Sequence, residues 1–371
     1  MKIVHVGKFY SPCPGGIETH LQGLAEGQAA RGHDVSVVCM AHTGSAGREA
    51  RAGVTVHRLA RRLSVAKLDW VSNLVTTLKR LEADVLHVHV PNPTMILGLL
   101  RANPSTPIVV TYHSDNVAQR LRSAVFQLAE RPFYRRVQRL LATSEAYAEG
   151  SRTLRRHLDK TSVVPLGIDL KLAEPTAARE EEAANLRCRY GTPLWFGCGR
   201  LVRYKGFQIA IEALREAPGT LLIAGEGPLR AELEREVERH GLRGRVHLLG
   251  HIDDALLRTS LVACDAFWFP SITRNEAFGL AQVEAMAAGK PVINCQIRHS
   301  GVPWVSEHMV SGLTVPVGDA RAFARAATQL AADARLRVKL GDGARQRARA
   351  LFDQERTLEE VLRVYDEMLR R

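Results

Sequence analysis

The 371-residue chain contains no long hydrophobic run, no paired-cysteine motif and no Asp-x-Asp triplet. No segment approaches the run of about eighteen apolar residues that a membrane span requires. The N-terminus, Met1-Lys-Ile-Val-His-Val-Gly7, starts directly as a strand, without a basic region followed by an apolar one, so neither secretion nor membrane spanning is expected. The six cysteines (Cys13, Cys39, Cys188, Cys198, Cys264 and Cys295) lie far apart without C-x-x-C spacing. They read as core or surface thiols in a reducing cytoplasm, and no structural zinc site is expected. Without an Asp-x-Asp triplet, a carboxylate-held divalent metal has no obvious seat, and no metal or other cofactor is expected.

What the chain does have is 46% apolar residues, enough for two domains with separate cores, and an uneven positive charge. The net charge is +12, and residues 1–170 carry 22 Lys/Arg against 13 Asp/Glu. Much of the excess sits at Arg120, Arg122, Arg131, Arg135, Arg136, Arg139, Arg152, Arg155 and Arg156, while Val117, Leu121, Ala124, Val125 and Leu128 recur at helical spacing. Such a basic amphipathic surface suits anionic lipid, nucleic acid or plain solvent. Nucleic acid is the weakest of the three, because the arginines are not interleaved with stacking aromatics and no recognised nucleic-acid module is present.

Short apolar runs alternate with helical patterns throughout, which implies parallel βαβ units and doubly wound sheets. Strands are expected at 2–6, 35–39, 54–58, 85–88, 108–112, 140–142 and 162–164, with helical patterns such as 18–31 and 71–81 between them. The pattern restarts near Pro193, with strands at 194–197, 220–224, 246–248, 266–269, 291–294 and 313–315 and helices at 208–217, 229–240 and 277–288. The polar stretch 170–187 reads as a connector and first helix. We therefore expect an N-terminal domain over 1–170 and a C-terminal domain over 171–353, with a helix over 354–371 packing back on the first. Leu358, Val361, Leu362, Tyr365 and Met368 form the apolar stripe of that helix. Ligands of such sheets bind beyond the carboxyl ends of the strands.

Several segments at those ends can carry chemistry. Glu276 and Glu284, eight positions apart in Glu276-Ala-Phe-Gly-Leu-Ala-Gln-Val-Glu284, straddle a Phe278-Gly279 turn at a helix start, where free amides favour anions and acceptors. Their spacing does not establish an acid–base dyad, and a structural Glu284 is the alternative reading. Gly199-Arg-Leu-Val-Arg-Tyr-Lys-Gly206 places Arg200 and Lys205 around a turn, where guanidinium and ammonium can converge on a diphosphate. Gly225-Glu-Gly-Pro228 suits a close backbone approach to a base or ribose, or a simple turn. Gly15 and Gly16 stand between the first strand and first helix, and His113 ends a strand, either as a ligand contact or as a structural histidine.

Together, Gly15-Gly16, His113, Gly199-Arg200-Leu201…Lys205-Gly206, Gly225-Glu226-Gly227-Pro228 and Glu276…Glu284, in this order along essentially the whole chain, closely resemble glycosyltransferase family 4. The resemblance implies a GT-B fold, two Rossmann-like doubly wound domains facing a central cleft, and transfer with retention of configuration and without metal. It implies that Arg200 and Lys205 hold the donor diphosphate, Glu284 the ribose and Glu276 the transferred sugar. Backbone amides of Phe278, Gly279 and Leu280 would meet sugar hydroxyls or phosphate, with His113 near the sugar and Gly16 near the phosphates; Gly15, Gly199, Glu226 and Gly227 complete the donor site. One departure is Gln296-Ile-Arg-His-Ser-Gly-Val-Pro-Trp304, which places Arg298 and His299 before the family-like Ser-Gly-Val-Pro and Trp304 where many relatives carry Glu.

The expected activity is transfer of a hexose or deoxyhexose from a UDP- or GDP-linked donor to a lipid-linked or cell-surface glycan precursor, as in polysaccharide or lipopolysaccharide biosynthesis. The expected location is the cytoplasm, peripheral on the inner face of the membrane. The alternatives are a glycosyltransferase making a small soluble glycoside or disaccharide and, more remotely, a nucleic-acid-binding protein.

Overall fold

A computed structural model describes residues 1–13, 15–42, 46–65, 68–115 and 130–370. It divides the chain into two compact units, Met1–Gly167 with Gln354–Arg371, and Ile168–Asp353.

In the first unit the strands are β1 (Lys2–Val6), β2 (Asp34–Met40), β3 (Gly47–Arg51), β4 (Val54–Leu59), β5 (Arg61–Val65), β6 (Leu68–Val71), β7 (Val85–Val90), β8 (Ile108–Tyr112), β9 (Arg139–Ala142) and β10 (Thr161–Val163). Eight of them form one sheet in the order β10-β9-β8-β7-β1-β2-β4-β3, parallel except for β3 at the edge. β7 and β8 are buried along their whole length, as strands covered on both faces must be. Helix Gly16–Ala30 and the C-terminal helix Gln354–Leu369 pack together on this sheet: Leu358, Val361 and Tyr365 join Leu21, Leu24 and Val35 in one core. A Cβ on Gly27 would come within 2.7 Å of Leu358 Cδ2, so the two helices approach closely there.

The second unit carries β11 (Leu194–Cys198), β12 (Thr220–Ala224), β13 (Val246–Gly250), β14 (Ala266–Phe269), β15 (Val292–Cys295) and β16 (Gly312–Val315) in the order β13-β12-β11-β14-β15-β16. All its pairings are parallel. Strand order reverses between β11 and β14, and in the first sheet between β1 and β7, which are the switch points where doubly wound sheets leave a crevice at the carboxyl ends.

Three strands escape the sequence pattern. β3 is exposed along its whole length and has no alternation to reveal it; β5 and β6 form a separate two-stranded antiparallel hairpin. The helical pattern read from Val71 begins only at Leu74, because Val71 closes β6. The helix read from Ala277 begins at Leu280, because Gly279 adopts φ 83° and a continuous helix cannot pass through it. Arg120, Arg122 and the apolar stripe Val117–Leu128 lie outside the described residues.

Candidate active site

In the second unit, the loops that hold the candidate residues follow three adjacent strands. Gly199–Gly206 follows β11, Gly225–Pro228 follows β12, and the loop to Leu280 follows β14. Lys205 and Glu276 therefore leave the two strands that flank the switch point.

These two side chains meet. Lys205 Nζ lies 2.6 Å from Glu276 Oε2, with the side chains 14% and 12% exposed. Ser271 Oγ donates to the same carboxylate oxygen at 3.2 Å, and the ammonium lies 5.2 Å from the centre of the Phe269 ring. Burial by itself would strip the lysine of its proton, but the charge of Glu276, supported by Tyr204 and by the hydrogen bond to Glu276, outweighs it and holds the Lys205 pKa above the usual amine value. Lys205 is thus a fixed cation. The Glu276 backbone is held as well, since its carbonyl accepts from Ser300 Oγ at 2.5 Å. Arg200 is exposed and donates from Nη2 to the Tyr204 hydroxyl at 3.3 Å.

Helix Leu280–Ala287 starts without a side-chain cap and without an acidic residue in its first turn, leaving its first amides and the positive end of its dipole open to a ligand. Gly279 is required there twice over. Its φ of 83° disfavours other residues, and a Cβ would sit 2.5 Å from Phe269 Cζ. Phe278 is buried against Trp304 and Phe352, with ring centres at 6.3 and 5.5 Å. Trp304 also receives the Arg347 guanidinium over its face and at its carbonyl. Trp304 therefore supports the Phe278 turn by packing. Arg298 is exposed, and His299 takes a left-handed φ of 56° while its carbonyl accepts from Arg274.

Glu284, one turn into the helix, is half-buried and makes no side-chain hydrogen bond or ion pair to a described residue. Burial, with a further push from Asp254 and partial relief from Arg258, raises its pKa to about 7. A lone carboxylate so placed is an acceptor without a donor.

The Gly225-Glu-Gly segment has a different local cause from the one its sequence suggests. A Cβ on Gly225 would lie 2.0 Å from the Gly199 carbonyl oxygen, and one on Gly227 2.4 Å from that of Leu201. The glycines are needed for packing loop on loop, and Leu201 N donates to Glu226 O at 2.9 Å. The Glu226 carboxylate is exposed and pairs with Arg230 at 3.0 Å.

In the first unit, Gly15 and Gly16 open helix Gly16–Ala30, again with no side-chain cap. His113, just beyond β8, is 6% exposed and belongs to a group of buried histidines that the sequence reading passed over. His5, His87 and His89 lie within 4.8 Å of one another through one ring nitrogen each, as do His20, His89 and His113; these are the described groups with donor atoms close enough to hold a metal ion. The signal was the alternation of His87 and His89 on one face of β7 and the pairing of His5 with His87 in register. Burial pushes all five pKa values down, to about 4 for His5 and His20 and well below the usual imidazole value for His87, His89 and His113, so they are neutral.

Of the basic residues that are described, Arg131, Arg152, Arg155 and Arg156 are exposed, and the first three lie close enough to act on the charge of Arg156. Arg136 differs, donating to the Pro104 carbonyl at 2.5 Å. Among the described residues no helix is long and apolar enough to cross a membrane.

Comparison with known proteins gives the family and the fold. Residues 14–172 match the family described as Glycosyltransferase Family 4, and residues 178–347 that described as Glycosyl transferases group 1. The chain is 33% identical to the D-rhamnosyltransferase WbpZ of Pseudomonas aeruginosa over 95% of its own length and 92% of the relative's. It is 28% identical to the O-antigen chain mannosyltransferase C of Escherichia coli over 100% and 99% of the two chains. Among solved structures, sucrose-phosphate synthase from Thermosynechococcus elongatus superposes with a TM-score of 0.81 at 24% identity, covering 99% of both chains. At that identity the likeness concerns the fold, which is GT-B.

Proposed function

The chain belongs to glycosyltransferase family 4, and from that membership we propose a retaining enzyme that moves a hexose or deoxyhexose from a UDP- or GDP-linked donor to a lipid-linked or cell-surface glycan precursor. The observation that carries this reading is the buried Lys205–Glu276 pair beside the uncapped helix start at Leu280. A permanent cation, open amides and a sugar-directed carboxylate in one place suit a diphosphate joined to a sugar. The choice of sugar and acceptor is supported by the relatives, one named for rhamnose and one for mannose on an O-antigen chain.

In this reading the glycosidic C–O bond to the diphosphate breaks as the acceptor oxygen bonds to the same face of the sugar carbon. The acceptor's proton passes to the departing phosphate oxygen. Arg200 and Lys205 neutralise the charge that develops on that phosphate, the role a divalent metal plays elsewhere, so turnover needs no metal. Glu276 holds a sugar hydroxyl and shares Lys205 with the phosphate, Glu284 accepts from the ribose hydroxyls, and the amides of Phe278, Gly279 and Leu280 meet phosphate or sugar oxygens. His113 contacts the sugar, and Gly16 lies near the phosphates. Positioning and preorganised charge supply the catalysis, with no acid–base dyad. The exposed arginines at 131, 152, 155 and 156 favour an acceptor at an anionic membrane surface on the cytoplasmic side.

A thermal-shift screen against UDP, GDP, ADP, UDP-glucose and GDP-mannose tests the donor assignment. A melting temperature raised by one nucleotide and its sugar, with no response to EDTA, is the expected result. No shift with any nucleotide at millimolar concentration would remove it.

A further inference from the structure

The buried histidines of the first unit form one hydrogen-bonded chain, and its polarity can be read from its far end. His5 Nε2 lies 2.7 Å from Gln28 Oε1, a carbonyl that can only accept, so His5 carries its proton on Nε2. A neutral imidazole has one proton, which makes His5 Nδ1 an acceptor. His89 Nε2, at 3.1 Å, must then donate to it. His89 Nδ1 is in turn an acceptor, and His113 Nε2, at 3.2 Å, donates to that atom. His113 is left with a bare Nδ1, which has no partner among the described residues.

The other arm of Gln28 ends on hydroxyls, which can donate or accept, and follows whichever way the amide faces. Its amide nitrogen donates to the Tyr365 hydroxyl at 3.4 Å; that hydroxyl pairs with His87 Nδ1, and His87 Nε2 reaches Thr111 Oγ1 at 2.7 Å. Turning the Gln28 amide over would reverse every link and place the proton of His113 on Nδ1. One amide, on a helix three links away, therefore selects between two states of the histidine at the strand end. Neutrality is a condition of this logic, and the burial of all four imidazoles, each at most 6% exposed, provides it.

We propose that Gln28, acting through His5 and His89, is a positioning residue that locks His113 in its Nε2-protonated tautomer, so that Nδ1 accepts a hydrogen bond from a hydroxyl of the donor sugar. The proposal rests on the reading of His113 as a sugar contact. It assigns a functional reason to three residues that touch no ligand.

The test uses the full chain labelled with 15N-histidine. Long-range 1H–15N spectra of the wild type should show His113 protonated on Nε2 and bare on Nδ1; a proton on Nδ1 overturns the proposal outright, whether or not any variant folds. Gln28→Met removes the selecting acceptor, and the tautomers of His113 should mix. KM for whichever of UDP-glucose or GDP-mannose the enzyme uses should rise about tenfold, as for loss of one hydrogen bond, with affinity for the bare nucleotide unchanged. A Gln28→Met protein with mixed tautomers and an unchanged donor KM would overturn the link to function. His113→Ala separates the two ideas: full activity there sinks the sugar contact, while the tautomer spectrum still judges the relay.

Discussion

Lys205 and Glu276 leave neighbouring strands on either side of the switch point of the second sheet and form a 2.6 Å ion pair that solvent barely reaches. Neither residue is near the other in sequence, and each would be costly to bury alone. Together they form a charged fixture that is in place before a ligand arrives, which is what electrostatic preorganisation requires.

Lys205→Met should lower turnover by about 100- to 1000-fold and also destabilise the fold by up to about 3 kcal/mol, because Glu276 is left buried without its cation. Adding Glu276→Gln should recover the melting temperature but not the activity. If the double variant regains turnover, Lys205 is structural.

Arg200 is exposed, and among the described residues its side chain bonds only to Tyr204, so Arg200→Ala should leave the melting temperature unchanged while reducing kcat by about a hundredfold. Steady-state kinetics beside a melting curve decide the matter; wild-type kcat contradicts the diphosphate role.

Glu284, with its pKa raised to about 7 by burial, should make nucleotide affinity depend on pH. Below 7 the neutral acid is a weaker acceptor for ribose hydroxyls, so affinity should rise as pH goes from 6 to 8. Calorimetric titrations of wild type and Glu284→Gln compare like with like, because the phosphate titrates equally in both. An identical pH dependence in the two proteins would exclude the ribose contact. In the empty protein the sign is opposite for stability: the folded-state pKa lies above the unfolded value, so this group's contribution is present at low pH and is lost as pH rises through 7.

The histidine chain predicts acid lability of the first unit. Its imidazoles titrate in the fold well below their usual value, His5 at about 4, and in the unfolded chain near 6.5. Between those values the unfolded chain binds more protons, so stability falls as pH drops from about 6.5 toward 4, by about 1.4 kcal/mol per pH unit for each imidazole that titrates. Urea titrations followed by hydrogen exchange should show the first unit losing protection before the second; equal protection of both units at pH 5 would contradict it.

Neutralising Arg131, Arg152, Arg155 and Arg156 to glutamine together should reduce sedimentation with anionic vesicles roughly tenfold or more at low salt and leave sedimentation with neutral vesicles unchanged. Arg136 is not part of this set, because its guanidinium is committed to the Pro104 carbonyl. Binding of the wild type that does not weaken with salt would count against an electrostatic membrane contact.

The sequence by itself determined the parts of this protein that depend on local rules. Apolar runs of strand length, restarting once, specify two doubly wound sheets, and glycines after strands mark where backbone must turn. The glutamate pair around Phe278-Gly279 is legible because a helix start and its acceptors lie within one short segment. Only the tertiary structure decided what those residues meet. Lys205 and Glu276 are 71 positions apart and become partners through strand order, which no periodicity encodes. Gly225 and Gly227 are glycines because another loop passes over them. Trp304 is a packing support for Phe278. The histidine chain was the least legible of all, since His5, Gln28, His89 and His113 come from four separate segments, and a proton's position along them is defined only when the sheet and its covering helix have closed.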